Sequence, residues 1–94
     1  MCPSDPAGDY ADLLAFLRER LERGNDCLLG GNARGAIVYY DSALMSFHAN
    51  SRVAALQPTY RALWTNKALA HQHLRELGKS QEASMYANSL PLSG

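Results

Sequence analysis

The stretch Gly30-Gly31-Asn32-Ala33-Arg34-Gly35-Ala36-Ile37-Val38-Tyr39-Tyr40-Asp41-Ser42-Ala43-Leu44 decides the fold. It reads as a helix stop followed at once by a helix start. Glycine suits the left-handed position that closes one helix, and asparagine is a good cap for the next. A turn this short holds its two helices antiparallel and adjacent. Upstream, Leu14, Leu17, Leu21 and Leu28 recur at spacings of three, four and seven, which is one face of a helix from Tyr10 to about Gly30. Arg18, Glu19, Arg20, Glu22 and Arg23 take the other positions and keep the outer face wet. Gly24 interrupts the apolar stripe at a cost of roughly 1 kcal/mol against alanine. Close approach by the second helix is the expected compensation. Downstream, Ala33, Ala36, Ile37, Tyr40, Ala43, Leu44 and Phe47 form the stripe of a helix over 33–49.

Asn50-Ser51 looks like a break, although Val53 to Leu56 read equally as a prolongation. Gln57-Pro58 then punctuates the chain, because a residue before proline is pushed out of the α region and proline suits a first helical turn. A third helix is expected over 58–77, with Tyr60, Leu63, Ala70, Leu74 and Leu77 on one stripe and Trp64, Ala68 and His71 beside it. Gly78 is its natural stop. Residues 1–9, rich in proline and aspartate, read as a disordered lead-in with Asp9 as a helix cap. Residues 79–94 read as a linker or a weak helix. The expected fold is therefore all-α, a three-helix antiparallel bundle over 10–78 with a short fourth helix left open. Its core would be Leu14, Leu17, Leu21, Leu28, Ala36, Ile37, Tyr40, Leu44, Leu63, Trp64, Ala70 and Leu74.

Ninety-four residues make one domain, and nine basic residues balance nine acidic ones. Without a positive field, neither nucleic acid nor an anionic membrane is an expected partner. No apolar run approaches the ~20 residues that span a bilayer. The start Met1-Cys2-Pro3-Ser4-Asp5-Pro6 lacks a signal-peptide layout, and the cysteines Cys2 and Cys27 make no disulfide framework. The expected setting is the cytoplasm. His71 and His73, two apart on a helix, point in different directions and cannot share a metal. Glu22, Asp26 and Asp41 scatter over outer faces, and no nucleophile elbow is present. The expectation is a segment without catalytic residues, metal or cofactor, which works by binding proteins. Tyr39 lies off the centre of its stripe and is a candidate partner contact. Arg18, Arg20, Arg23 and Arg34 are candidate basic contacts.

Two segments carry a family resemblance. Gly31 to Leu44 has a Gly-Asn turn, an alanine-aliphatic pair, paired aromatics, then a small residue and leucine. Tyr60-Arg61-Ala62-Leu63-Trp64 continues to His73-Leu74-Arg75-Glu76-Leu77. Together, over about residues 12–78, they resemble MIT (microtubule-interacting-and-trafficking) domains, most of all the katanin type that precedes a microtubule-severing AAA motor. The resemblance implies a recruitment module that binds the regulatory subunit of a severing complex, helps engage tubulin in microtubules and associates with the cytoskeleton. Any ATPase would then lie beyond Gly94. The neutral charge is a departure, so contact with acidic tubulin tails would fall to Arg18, Arg20, Arg23 and Arg34. The same segment is similar to tetratricopeptide (TPR) repeats, through Gly24, Asn25, Gly31, Ala36, Tyr40 and Ala43, with Trp64, Asn66 and Ala68 opening a second repeat after an inserted turn. That resemblance implies a peptide-binding co-chaperone or scaffold module. Leu21 stands where the carboxylate clamp of chaperone-binding TPRs has lysine. Helix count separates the two: three helices and a trailing linker fit MIT, and a fourth packed helix over 79–90 fits TPR.

Overall fold

The computed structural model describes residues 10–90. The lead-in, the Asp9 cap and residues 91–94 lie outside the described residues. The described chain is an all-α bundle in the order α1 (Ala11–Leu29), α2 (Ala33–Leu44), α3 (Phe47–Asn50), a 3-10 turn at Ala54–Leu56, α4 (Gln57–His73) and α5 (Leu77–Ser89). α1 pairs with α2, α2 with α4 and α4 with α5, while α1 also touches α4. The stack measures 49 × 25 × 19 Å. No helix among the described residues is long and apolar enough to cross a membrane.

The first hairpin forms as its turn residues dictate. Gly31 takes φ +87°, its N–H donates to Leu28 O, and Asn32 N–H donates to Cys27 O at 2.8 Å. Asn32 then caps α2 by accepting from Gly35 N–H at 2.9 Å. At Gly24 the Tyr40 ring of α2 lies against the α1 backbone. A Cβ there would lie 2.3 Å from Tyr40 Cε1. The fully buried Tyr40 donates its hydroxyl to Asn25 Oδ1 at 2.6 Å. Burial, and secondarily the charge of Cys27, push its phenol up to about 12, so it remains a donor at neutral pH.

The second expected helix is shorter than its stripe. It stops at Leu44, because Ser46 Oγ bonds Ala43 O at 3.0 Å and Asn50 Nδ2 bonds Ser46 O at 2.9 Å. Such side chains compete with the backbone for helical partners. Phe47 restarts the chain as α3 and becomes the hub of an aromatic cluster. Tyr60 and Trp64 meet it edge-on at 5.3 Å each, and Tyr86 at 6.1 Å. Each such pair adds about 0.5–1.5 kcal/mol beyond its area.

The third expected helix ends at His73, five residues before the expected stop at Gly78. Arg75 adopts φ +60°, its N–H donates to Gln72 O at 2.9 Å, and Glu76 N–H donates to His71 O at 2.8 Å. This is the same pair of bonds that closes α1, with arginine in the glycine position. Gly78 falls instead inside the first turn of α5, and Leu77, expected on the stripe, is 63% exposed. α5 is the fourth helix, packed on α4 through Ser80, Ala83 and Ala87. The two hairpins superpose in sequence at an offset of 44 residues, from Gly31 to Arg75. That offset sets Gly24 against Ala68, Ala36 against Ser80 and Ala43 against Ala87, all six buried. It exceeds the TPR period of about 34 residues by the length of the segment Phe47–Leu56, which holds α3 and the 3-10 turn.

The core is centred lower on α2 and α4 than the leucine stripe implies. Tyr40, Tyr60, Leu17, Leu56 and Leu63 are its largest fully buried side chains. Leu14, Leu21, Leu28, Ile37 and Leu74 pack around it only partly buried.

Three outcomes follow from these contacts. Gly24→Ala gains roughly 1 kcal/mol of helix propensity but must displace a buried ring, so it should lower unfolding stability by about 1–3 kcal/mol. In a Tyr40→Ala background the same change should be neutral or stabilising in denaturant melts. Arg75→Gly should raise stability by about 0.5–1 kcal/mol, because glycine adopts the left-handed region without a Cβ clash. An unchanged or lower melting temperature counts against that account. Glu76 is held below its ordinary value of 4.5, first by the hydrogen bond from His71 and then by Lys79 and Arg34. A carboxylate depressed in the fold lends stability at neutral pH that disappears as pH falls through and below its unfolded value. The parent should therefore lose more stability than Glu76→Gln between roughly pH 5 and pH 3, as read from thermal melts. Parallel losses would remove Glu76 from the account.

Candidate protein-binding groove

α4 presents Trp64, Lys67 and His71 along one face, at spacings of three and four. α2 passes it antiparallel: Asp41 meets Lys67, and Arg34, two turns earlier in α2, meets Glu76 just past the end of α4. α5 returns antiparallel on the other side. The three helices enclose a groove of about 480 Å³. Its floor is the α4 face, one wall is Arg34, Ile37, Val38 and Asp41, and the other is Lys79, Glu82 and Ala83.

Charge is arranged as rungs across this groove. Lys67 Nζ lies 2.6 Å from Asp41 Oδ1 and 5.1 Å from the centre of the Trp64 ring. The Lys67 side chain is 20% exposed and that of Asp41 51%, so the ammonium is shielded while water reaches the carboxylate. At the elbow end, buried His71 bonds Glu76 Oε1 through Nδ1 at 2.9 Å, and Arg34 Nη2 stands 3.8 Å from Glu76 Oε2. An ionised carboxylate only accepts, so the imidazole proton sits on Nδ1. These pairs tie α2 to α4 and to the turn that precedes α5, and leave Ile37 and the 67%-exposed Val38 as the apolar part of the wall.

Trp64 carries the unmet demand. It is 8% exposed and stacks on Tyr86 at 4.5 Å, yet its indole Nε1–H has no acceptor among the described residues. A buried donor left unpaired costs about 1–3 kcal/mol.

The five residues singled out from sequence do not converge on this groove. Arg34 alone lines it, with its side chain 74% exposed. Arg20 and Tyr39 meet elsewhere, the guanidinium carbon 5.9 Å from the Tyr39 ring centre and 5.1 Å from that of Phe16. Half-buried Tyr39 thus sits under an arginine at the α1–α2 seam. Arg18 is exposed on α1. Arg23 stands one turn from Glu19, with Nε 3.8 Å from its carboxylate. Lys67, His71 and Glu76 were not sequence candidates for a site. Their spacing was visible, but their partners lie on other helices. Among the described residues no group of three His, Cys, Asp or Glu side chains is placed to hold a metal ion. No family profile, curated protein or solved structure matches the chain.

Proposed function

We propose that this protein is a protein-interaction module of TPR type, in which two helical hairpins present the α2–α4–α5 groove to a segment of a partner protein. The observation that carries the reading is the second hairpin itself, with α5 packed on α4 and closed by the same turn bonds as the first. A helix count of this kind favours the TPR resemblance over a three-helix MIT domain. Val38, exposed on the groove wall beside the charged rungs, supplies an apolar contact for an incoming chain.

The MIT resemblance of the Gly31–Leu44 and Tyr60–Leu77 segments supports the same class of work, recruitment through a helical groove. In that second reading the partner is the regulatory subunit of a severing complex, or the microtubule, and the protein associates with the cytoskeleton.

Immobilised protein exposed to cell extract tests both. Val38→Asp lies on the exposed wall and should leave the fold intact while reducing partner capture at least about tenfold. Arg18→Glu, away from the groove, should leave capture unchanged. Chaperones or scaffold proteins among the Val38-dependent partners fit the TPR reading, and tubulin or a severing subunit fits the second. Capture that resists Val38→Asp but is abolished by Arg18→Glu or Tyr39→Ala would move the site to the α1–α2 seam and overturn the groove.

A further inference from the structure

A second recess shares no lining residue with the groove. It is a cavity of about 650 Å³ where α3, the start of α4 and the end of α5 come together. Phe47 and Tyr86 form an aromatic wall, edge to face at 6.1 Å and 85°. Tyr86 cannot swing freely, because its ring is stacked on Trp64 at 4.5 Å. Leu90, 5% exposed, closes one side. A third ring entering here would extend the Phe47 cluster, whose members already meet edge-on.

Two polar groups give the recess its chemistry. Gln57 is 9% exposed, and its Nε2 is committed to Ser51 O at 3.2 Å. That bond fixes the amide orientation and leaves Oε1 as an acceptor with no donor among the described hydrogen bonds. Arg52 is exposed at the rim and belongs to none of the ion pairs among the described residues. An occupant therefore needs a flat aromatic body, an N–H for Gln57 and a negative charge within reach of Arg52. A peptide with an aromatic residue followed by an acidic one has all three, its backbone amide being the donor.

We propose that this recess binds an aromatic side chain of a partner peptide, with the acidic residue that follows it held by Arg52. The choice of a peptide over a free aromatic acid rests on the interaction-module reading above, whereas the recess and its polarity do not.

Titration of the isotope-labelled chain with four probes, followed by amide NMR, tests this. The probes are blocked tetrapeptides carrying Phe-Asp, Phe-Lys or Ala-Asp between two serines, and phenylacetate. Phe-Asp should move the Gln57 side-chain amide and the Leu90 backbone amide saturably. It should bind about tenfold more tightly than Phe-Lys or Ala-Asp. Arg52→Glu, at an exposed position, should reverse the preference so that Phe-Lys binds better than Phe-Asp. Absence of saturable shifts at millimolar Phe-Asp, equal binding of all three peptides, or shifts confined to Val38 and Lys79 would each overturn the proposal. Phenylacetate binding as tightly as the Phe-Asp peptide would retain the recess and overturn the peptide as its ligand, whatever the outcome at Val38.

Discussion

One carboxamide oxygen ties three helices together. Asn25 Oδ1, on α1, accepts the Tyr40 hydroxyl from α2 at 2.6 Å and the Asn66 amide from α4 at 2.8 Å. The geometry exists because Gly24 has no side chain, so the Tyr40 ring can lie against the α1 backbone and reach the next residue. A larger residue at 24 would lift the ring, break the first bond and loosen the second. The separation of α1 from α2, and hence the line on which α4 docks, is set at this point.

The first hairpin was legible because its determinants are local. Gly31 and Asn32 carry residue types that specify a left-handed stop and a cap, and the need for Gly24 to admit a neighbour follows from glycine on an apolar stripe. Gln57-Pro58 marked the start of α4 for the same reason. α5 was far less legible. Its buried face is Ser80, Ala83 and Ala87, small residues with little hydrophobic signal, while Leu77 and Met85 point outward. The turn before it uses arginine where pattern reading looks for glycine, so the end of α4 was expected at Gly78. A residue type states a preference of roughly 1 kcal/mol for such a position, and packing along an entire helix exceeds that.

The groove was illegible for a different reason. Trp64, Lys67 and His71 share a face by spacing alone, but their partners lie off that helix: Asp41 is on α2, 26 residues back from Lys67, and Glu76 is in the turn 5 residues on from His71. Periodicity within one helix cannot disclose a rung that crosses to another. The arginines chosen from sequence formed a group only along the chain. Once folded, Arg20 covers Phe16 and Tyr39, and Arg34 stands apart at the mouth of the groove.

The chain has a single tryptophan, and its position has an optical consequence. Trp64 lies beneath the Lys67 ammonium on the groove side and against Tyr86, which faces the aromatic recess. A cation over an indole and a phenol stacked on it both perturb its excited state. Its emission is thus a built-in gauge of either recess, since anything that draws Lys67 away or shifts Tyr86 changes the surroundings of the same chromophore.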